Sequence, residues 1–141
     1  PAALRAPAHA VVKDKPPAPL DPRACQARIA ALVQENPIVF TVGSWRLAPD
    51  SAQTLDAVAA EAKRCPSVDF EVAGHTDDIG VTSENLELSR RRAETVLVYL
   101  VAVGVAPQRL TAAGYGETRP LVPNVNDENR AKNRRIEFTL K

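Results

Sequence analysis

A carboxylate and a guanidinium stand where they could grip opposite ends of one small ligand. Asp77 lies in the polar run His75-Thr76-Asp77-Asp78-Ile79-Gly80, and Arg92 lies in the stretch of helical periodicity that follows. There, Asn85, Leu88, Ser89 and Arg92 recur at spacings of three and four, which places them on one stripe near the start of a helix. Asp77 attracts an ammonium group, whereas Arg92 can hold a carboxylate through two parallel hydrogen bonds. Asn85 both donates and accepts, Leu88 offers apolar surface to a short aliphatic stem, and the first helical turn adds N–H donors without internal partners. A ligand carrying both charges on one carbon, an amino-acid head group, meets that demand. Asp77 and Arg92 could equally pair with each other and brace the loop, and position alone leaves both readings open.

Other chemistries find fewer parts. His75 beside Asp77 could begin a metal site, but the second histidine, His9, lies far upstream in a Pro/Ala-rich stretch, so neither metal nor cofactor is expected. His75 reads instead as a structural residue making a hydrogen bond from a strand end. Ser44 and Ser83 lack a nucleophile signature, and Cys65 before Pro66 looks structural. Asp77 and Asp78 are adjacent on one loop and cannot flank a sugar from opposite sides, and Arg92 nearby favours an ionised Asp77 over a general acid. Arg90-Arg91-Arg92 could suggest a nucleic-acid patch, yet the net charge is +1 and aromatics make up 4% of the chain. Neither a basic field nor stacking platforms are present, so nucleic acid is not an expected partner.

The elements that must position these residues follow from punctuation and period. Pro16, Pro17, Pro19 and Pro22 close a Pro/Ala-rich segment over residues 1–22, which is expected to form an extended tether before a single domain over 23–141. Asp21-Pro22 is a helix-start signal, with Cys25, Ile29, Leu32 and Val33 at helical spacing and Asn36-Pro37 as the stop. Ile38-Val39-Phe40 reads as a short strand, and Asp50-Ser51 opens a second helix that ends near Cys65-Pro66. From Val68 to Ala73 the pattern alternates as in a half-buried strand, and a long helix runs from about Ser83 to Val103, with Gly104 as its cap. A strand at Leu110–Tyr115, a short helix at Asp127–Lys132 and a last strand at Ile136–Leu140 complete the series. The expected architecture is an α/β (α+β) sandwich, a mixed βαβαββ-type sheet of about four strands packed by helices. Its central βαβ unit brings the Gly74–Gly80 loop and the start of the long helix to one strand's C-terminal end, where α/β folds commonly bind ligands.

Cys25 and Cys65 have no CxxC spacing, so they are either two buried thiols or a disulfide between helix ends. A bond would place the chain in an oxidising compartment. No run approaches the roughly 18 apolar residues that would span a bilayer, and any membrane attachment is expected in a segment outside this sequence.

The motifs together resemble one family. Gly74-His75-Thr76-Asp77, Gly80, Asn85, Leu88-Ser89 and Arg92-Ala93 are similar to the signature of OmpA-like domains. The similarity continues through Tyr99-Leu100, Gly104-Val105, Arg109-Leu110, Gly114-Tyr115-Gly116, Pro120 and Asn124, and ends in Arg130-Ala131-Lys132-Asn133-Arg134-Arg135-Ile136-Glu137. Upstream, Leu47-Ala48-Pro49 followed by Leu55 resembles the family's first strand–helix passage. The resemblance implies a non-catalytic module that binds peptidoglycan, as in OmpA-type outer-membrane proteins, peptidoglycan-associated lipoproteins and MotB. It implies that Asp77 and Arg92 clasp the amino and carboxyl ends of meso-diaminopimelate in the stem peptide, with Asn85 and Leu88 lining the pocket. Arg134 resembles a second basic residue near the pocket, and Thr76 and Asp78 are placed to give backbone contacts. Asp78 departs from the Asn that many members carry. A subset of members has a comparable cysteine pair. The implied location is the periplasm, in association with the outer membrane.

Overall fold

The computed structural model describes residues 21–141, and the expected tether lies outside them except for its last two residues. Of those two, Asp21 is the N-cap and Pro22 the first residue of the first helix, α1 (Pro22–Glu35). Asp21 accepts the Ala24 N–H at its N-cap, and Pro22 takes the first turn, where a missing N–H costs nothing. The remaining elements are α2 (Ser51–Lys63), β1 (Phe70–His75), α3 (Thr82–Ala102), a 3₁₀ turn (Pro107–Arg109), β2 (Leu110–Gly116), α4 (Asp127–Asn133) and β3 (Arg135–Leu140). The sheet order is β2-β1-β3, with β1 parallel to β2 and antiparallel to β3. The mixed α/β architecture agrees with the sequence reading, and α3 is the crossover between β1 and β2.

Among the described residues the sheet has three strands, not about four. Ile38–Phe40 contributes a single antiparallel bridge, Phe40 with Leu47. The backbone of Val39 is already used: its N–H donates to Ser51 Oγ at 2.8 Å, and its carbonyl accepts the Ala48 N–H at 2.9 Å. The free edge of β3 is likewise occupied. The Gln26 side chain, from α1, donates to Phe138 O at 2.5 Å and accepts the Leu140 N–H at 2.6 Å, standing in for a neighbouring strand. Ser51, and not Asp50, makes the side-chain bond at the start of α2.

Alternation divides the sheet. Phe70, Val72, Ile136 and Phe138 are buried in the core with Ile29, Leu55, Val58, Val96 and Leu100 of the helices. Opposite positions form a polar layer in which Tyr115 Oη donates to Glu71 at 2.9 Å and the Arg119 guanidinium lies 3.7 Å from the Tyr115 ring centroid. On the core side, α3 comes very close to the sheet at two glycines. A Cβ at Gly74 would fall 2.2 Å from Ser89 O, and one at Gly114 would fall 2.3 Å from Arg90 N. This approach lets Ser89 Oγ accept the Gly116 N–H at 2.9 Å while donating to Leu86 O at 2.8 Å. The first turns of α3 are thereby fixed against the ends of β1 and β2, and Arg92 with them.

Candidate functional site

The residues after β1 are held from three directions. Thr76 N–H donates to Gly116 O at 2.8 Å, and its hydroxyl donates to Asp77 O at 2.8 Å. Asp77 is buried; Oδ1 accepts the Ile79 N–H at 3.0 Å, and Oδ2 accepts from Arg134 Nη1 at 2.7 Å. Gly80 turns the chain at φ +97°, a conformation that side chains other than glycine's rarely adopt. Asn85 Nδ2, one turn into α3, donates to Ile79 O at 3.0 Å and to Glu117 Oε1 at 3.3 Å. Asn85 thus fastens the loop to the helix.

Arg92 and Asp77 do not pair. The partner of Asp77 is Arg134, from the junction of α4 and β3, and Arg92 Nε donates to the carbonyl of Ser44 at 2.8 Å. The Arg92 guanidinium lies 5.1 Å from the Phe40 ring centroid, a cation–π contact. Among the described residues no carboxylate forms an ion pair with it. Burial lowers its pKa, the neighbouring Arg134 lowers it further, and Asp77 acts in the opposite direction. Of the two guanidinium groups only that of Arg134 is paired with a carboxylate, and Arg92 is left with a neutral partner.

Both arginines line a cleft of about 500 Å³. Phe40, Val42 and Gly43 line it too, as do Gly74, Ala131 and Ile136. Arg134, which pairs with Asp77, is half-exposed, whereas Asp77 is buried. Leu88 is half-buried on the Arg92 stripe, and Thr76, Asp77, Asp78, Asn85 and Leu88 all fall outside the cleft's lining. Asp78 is exposed and accepts from Arg130 at 3.4 Å. Arg92 and Arg134 thus share one cleft, Asp77 is tied to it through Arg134, and Thr76 and Asn85 brace the loop that carries Asp77. Ser44 and Phe40 were not foreseen as contributors. A backbone carbonyl has no side-chain signature, and Phe40 reads in the sequence only as part of a short strand.

His75 corrects an expectation. It is 4% exposed, stacked on Tyr115 with ring centroids 5.4 Å apart, and neither ring nitrogen has a hydrogen-bond partner among the described residues. Burial pushes its pKa from 6.5 down to about 4, with Arg135 adding to the shift. The fold therefore prefers the neutral ring, whose contribution to stability is complete above pH 6.5 and is lost as pH falls toward 4. Chemical unfolding at pH 6.5 and pH 5 should show the parent losing about 2 kcal/mol more than His75→Gln over that interval. Equal losses in the two proteins would contradict the assignment.

The sequence and the fold have counterparts in known proteins. Residues 39–134 match the model of the OmpA family. Outer membrane porin F of Pseudomonas fluorescens is 41% identical over 115 residues, covering 81% of this chain and 35% of that protein. The peptidoglycan-binding protein ArfA of Mycobacterium bovis is 36% identical over 132 residues, covering 92% of this chain and 40% of that protein. The chain thus spans well under half the length of these two relatives. Among solved structures, a putative MotB-like protein from Desulfovibrio vulgaris superposes with a TM-score of 0.72 at 30% identity, covering 85% of this chain and 90% of that one. The matched span runs from the loop that supplies Ser44 to Arg134 itself, and the chain belongs to the OmpA family.

Proposed function

We propose that this domain binds peptidoglycan without turning it over, by clasping the meso-diaminopimelate of the stem peptide between Asp77 and Arg92. The observation that carries the reading is the uncompensated guanidinium of Arg92, half-buried at the cleft and bonded through Nε alone to a neutral carbonyl. An incoming carboxylate supplies the missing charge through the two remaining nitrogens. The ligand's ammonium then joins Arg134 at Asp77, or displaces it. Desolvation offsets much of each attraction, so a single site holds modestly. Many copies on a polymeric wall hold firmly by avidity. The relatives' names support the wall as partner and an envelope location, with the domain in the periplasm anchoring a protein associated with the outer membrane.

Calorimetric titration with a stem peptide containing meso-diaminopimelate, beside the same peptide carrying lysine at that position, tests the reading. In the lysine peptide the side chain keeps its ammonium and lacks a carboxylate on the same carbon, so no free amino-acid head group remains there. Saturable binding of diaminopimelate that exceeds lysine by at least about tenfold is the expected outcome. Equal affinities, or no heat together with no retention on whole sacculi, would mean that the fold serves another partner.

A further inference from the structure

The loop between Phe40 and Leu47 is held on several sides, yet it leaves apolar residues in water. Thr41 N–H donates to Arg46 O at 2.9 Å, Ser44 N–H to Thr41 O at 3.1 Å, and Arg46 N–H to Ser44 Oγ at 2.8 Å. Arg92 fixes Ser44 O from the helix side, and the Phe40–Leu47 bridge closes the base. Gly43 supplies the tight bend at φ +67°. From this frame Val42 projects fully exposed and Trp45 remains 48% exposed. The Arg91 guanidinium, itself bonded to Glu87, lies 4.7 Å from the indole centroid and restrains the ring. The exposed half of the indole and the whole of Val42 stay hydrated, so holding that area in place adds nothing to the stability of the fold. A binding surface does gain from it, since the ordering cost is met before the ligand arrives.

Phe40, Val42 and Gly43 of this loop also line the cleft that contains Arg92 and Arg134. We propose that Trp45 and Val42 form a saccharide platform, against which the glycan strand packs while its stem peptide occupies the cleft. The inference rests on the stem-peptide reading of that cleft. The C–H face of a pyranose ring packs on an indole without stripping water from its equatorial hydroxyls, and an N-acetyl methyl suits Val42. Reach is consistent with this. Diaminopimelate is the third residue of the stem, so about 10 Å of extended chain separates it from the sugar. Arg92 is bonded to Ser44, the residue just before Trp45, so the indole lies within that distance. Exposed Arg46 and the Arg90–Glu87–Arg91 ion pairs give the patch a polar rim that favours a hydroxyl-rich ligand over a broad apolar partner.

The test uses a diaminopimelate-containing stem peptide, the same peptide joined to its disaccharide, and a peptide-free glycan oligomer. Affinity is measured by calorimetry, and Trp45, the single tryptophan, serves as the fluorescence reporter. The disaccharide-linked peptide should bind about 5-fold tighter than the free peptide. Trp45→Ala should erase that difference while leaving the free peptide within about 2-fold, and Trp45→Phe should restore part of it. Trp45 emission should shift with the linked ligand more than with the free peptide. Equal affinities in the parent, or Trp45→Ala weakening both ligands alike, would overturn the platform. Failure of the free peptide to bind, with the glycan still shifting Trp45, would remove the clasp and keep the platform. No binding by any ligand removes both, and capture of a protein through an otherwise unresponsive Trp45 would assign the patch to that protein.

Discussion

Arg92→Ala should lose at least about 100-fold in affinity for diaminopimelate-containing wall fragments, enough to abolish co-sedimentation with purified sacculi at micromolar protein. The size of the effect follows from what remains. Without Arg92 the cleft keeps Arg134, but that guanidinium is already bound to Asp77 at 2.7 Å and leaves it only by stranding a buried carboxylate. Arg92→Lys should fall between parent and Ala, because it keeps the charge and loses the two-pronged geometry. Asp77→Asn is the matching variant at the other end. It preserves an acceptor for the Ile79 N–H and removes the charge, so it should weaken binding while the loop keeps its shape. Far-UV circular dichroism and thermal melts on the same proteins separate lost recognition from lost folding. Arg92→Ala deletes one hydrogen bond to Ser44 O and should cost the fold only about 1 kcal/mol. A variant that stays folded and still sediments like the parent would refute the clasp.

The sequence carried this site unevenly, for reasons that lie in its chemistry. The stripe of Asn85, Leu88, Ser89 and Arg92 was legible because helical period alone sets which residues share a face. The contacts of Asp77 and Arg92 were not legible from period, because their partners come from outside the βαβ unit, and only the family resemblance placed Arg134 near the pocket. Arg134 arrives from the far end of the chain, at the junction of α4 and β3, and Ser44 contributes only a carbonyl. Helix starts and stops were legible wherever punctuation was local, as at Asp21-Pro22 and Gly104, which takes φ +108°. The fourth strand failed for a non-local reason. Ile38–Phe40 has the composition of a strand, but Ser51 and Ala48 take the backbone groups of Val39, and Gln26 fills the edge of β3. His75 failed because polar type was read as polar contact, whereas its ring is buried by stacking on Tyr115. Composition and period predict which face a residue takes, and tertiary contact decides what it meets there.

The disulfide allows stability to be lowered at a distance from the site. Cys25 and Cys65 are bonded across a sequence separation of 40, joining α1 to the end of α2. Closing a loop of that length removes about 4 kcal/mol of chain entropy from the unfolded state. The double variant Cys25→Ala/Cys65→Ala should therefore melt about 15 °C below the parent, and the parent with added reductant should fall by a similar amount once its bond opens. Two other devices hold the same end and limit the damage. Arg109 donates to Ala62 O, Cys65 O and Val68 O, and Arg28 forms a two-pronged pair with Glu61. A fall of less than about 3 °C would mean that these carry the junction by themselves. Position decides what happens to binding. Cys65 lies just before the N-terminal end of β1, and Asp77 follows its C-terminal end, about 20 Å away along six residues of strand. Below its own melting range the double variant should bind wall fragments with the affinity of the parent, the reverse of Arg92→Ala. If it lost binding while still folded, the packing of α1 and α2 would have to be counted as part of the site, and the clasp could not be a local property of Asp77, Arg92 and Arg134.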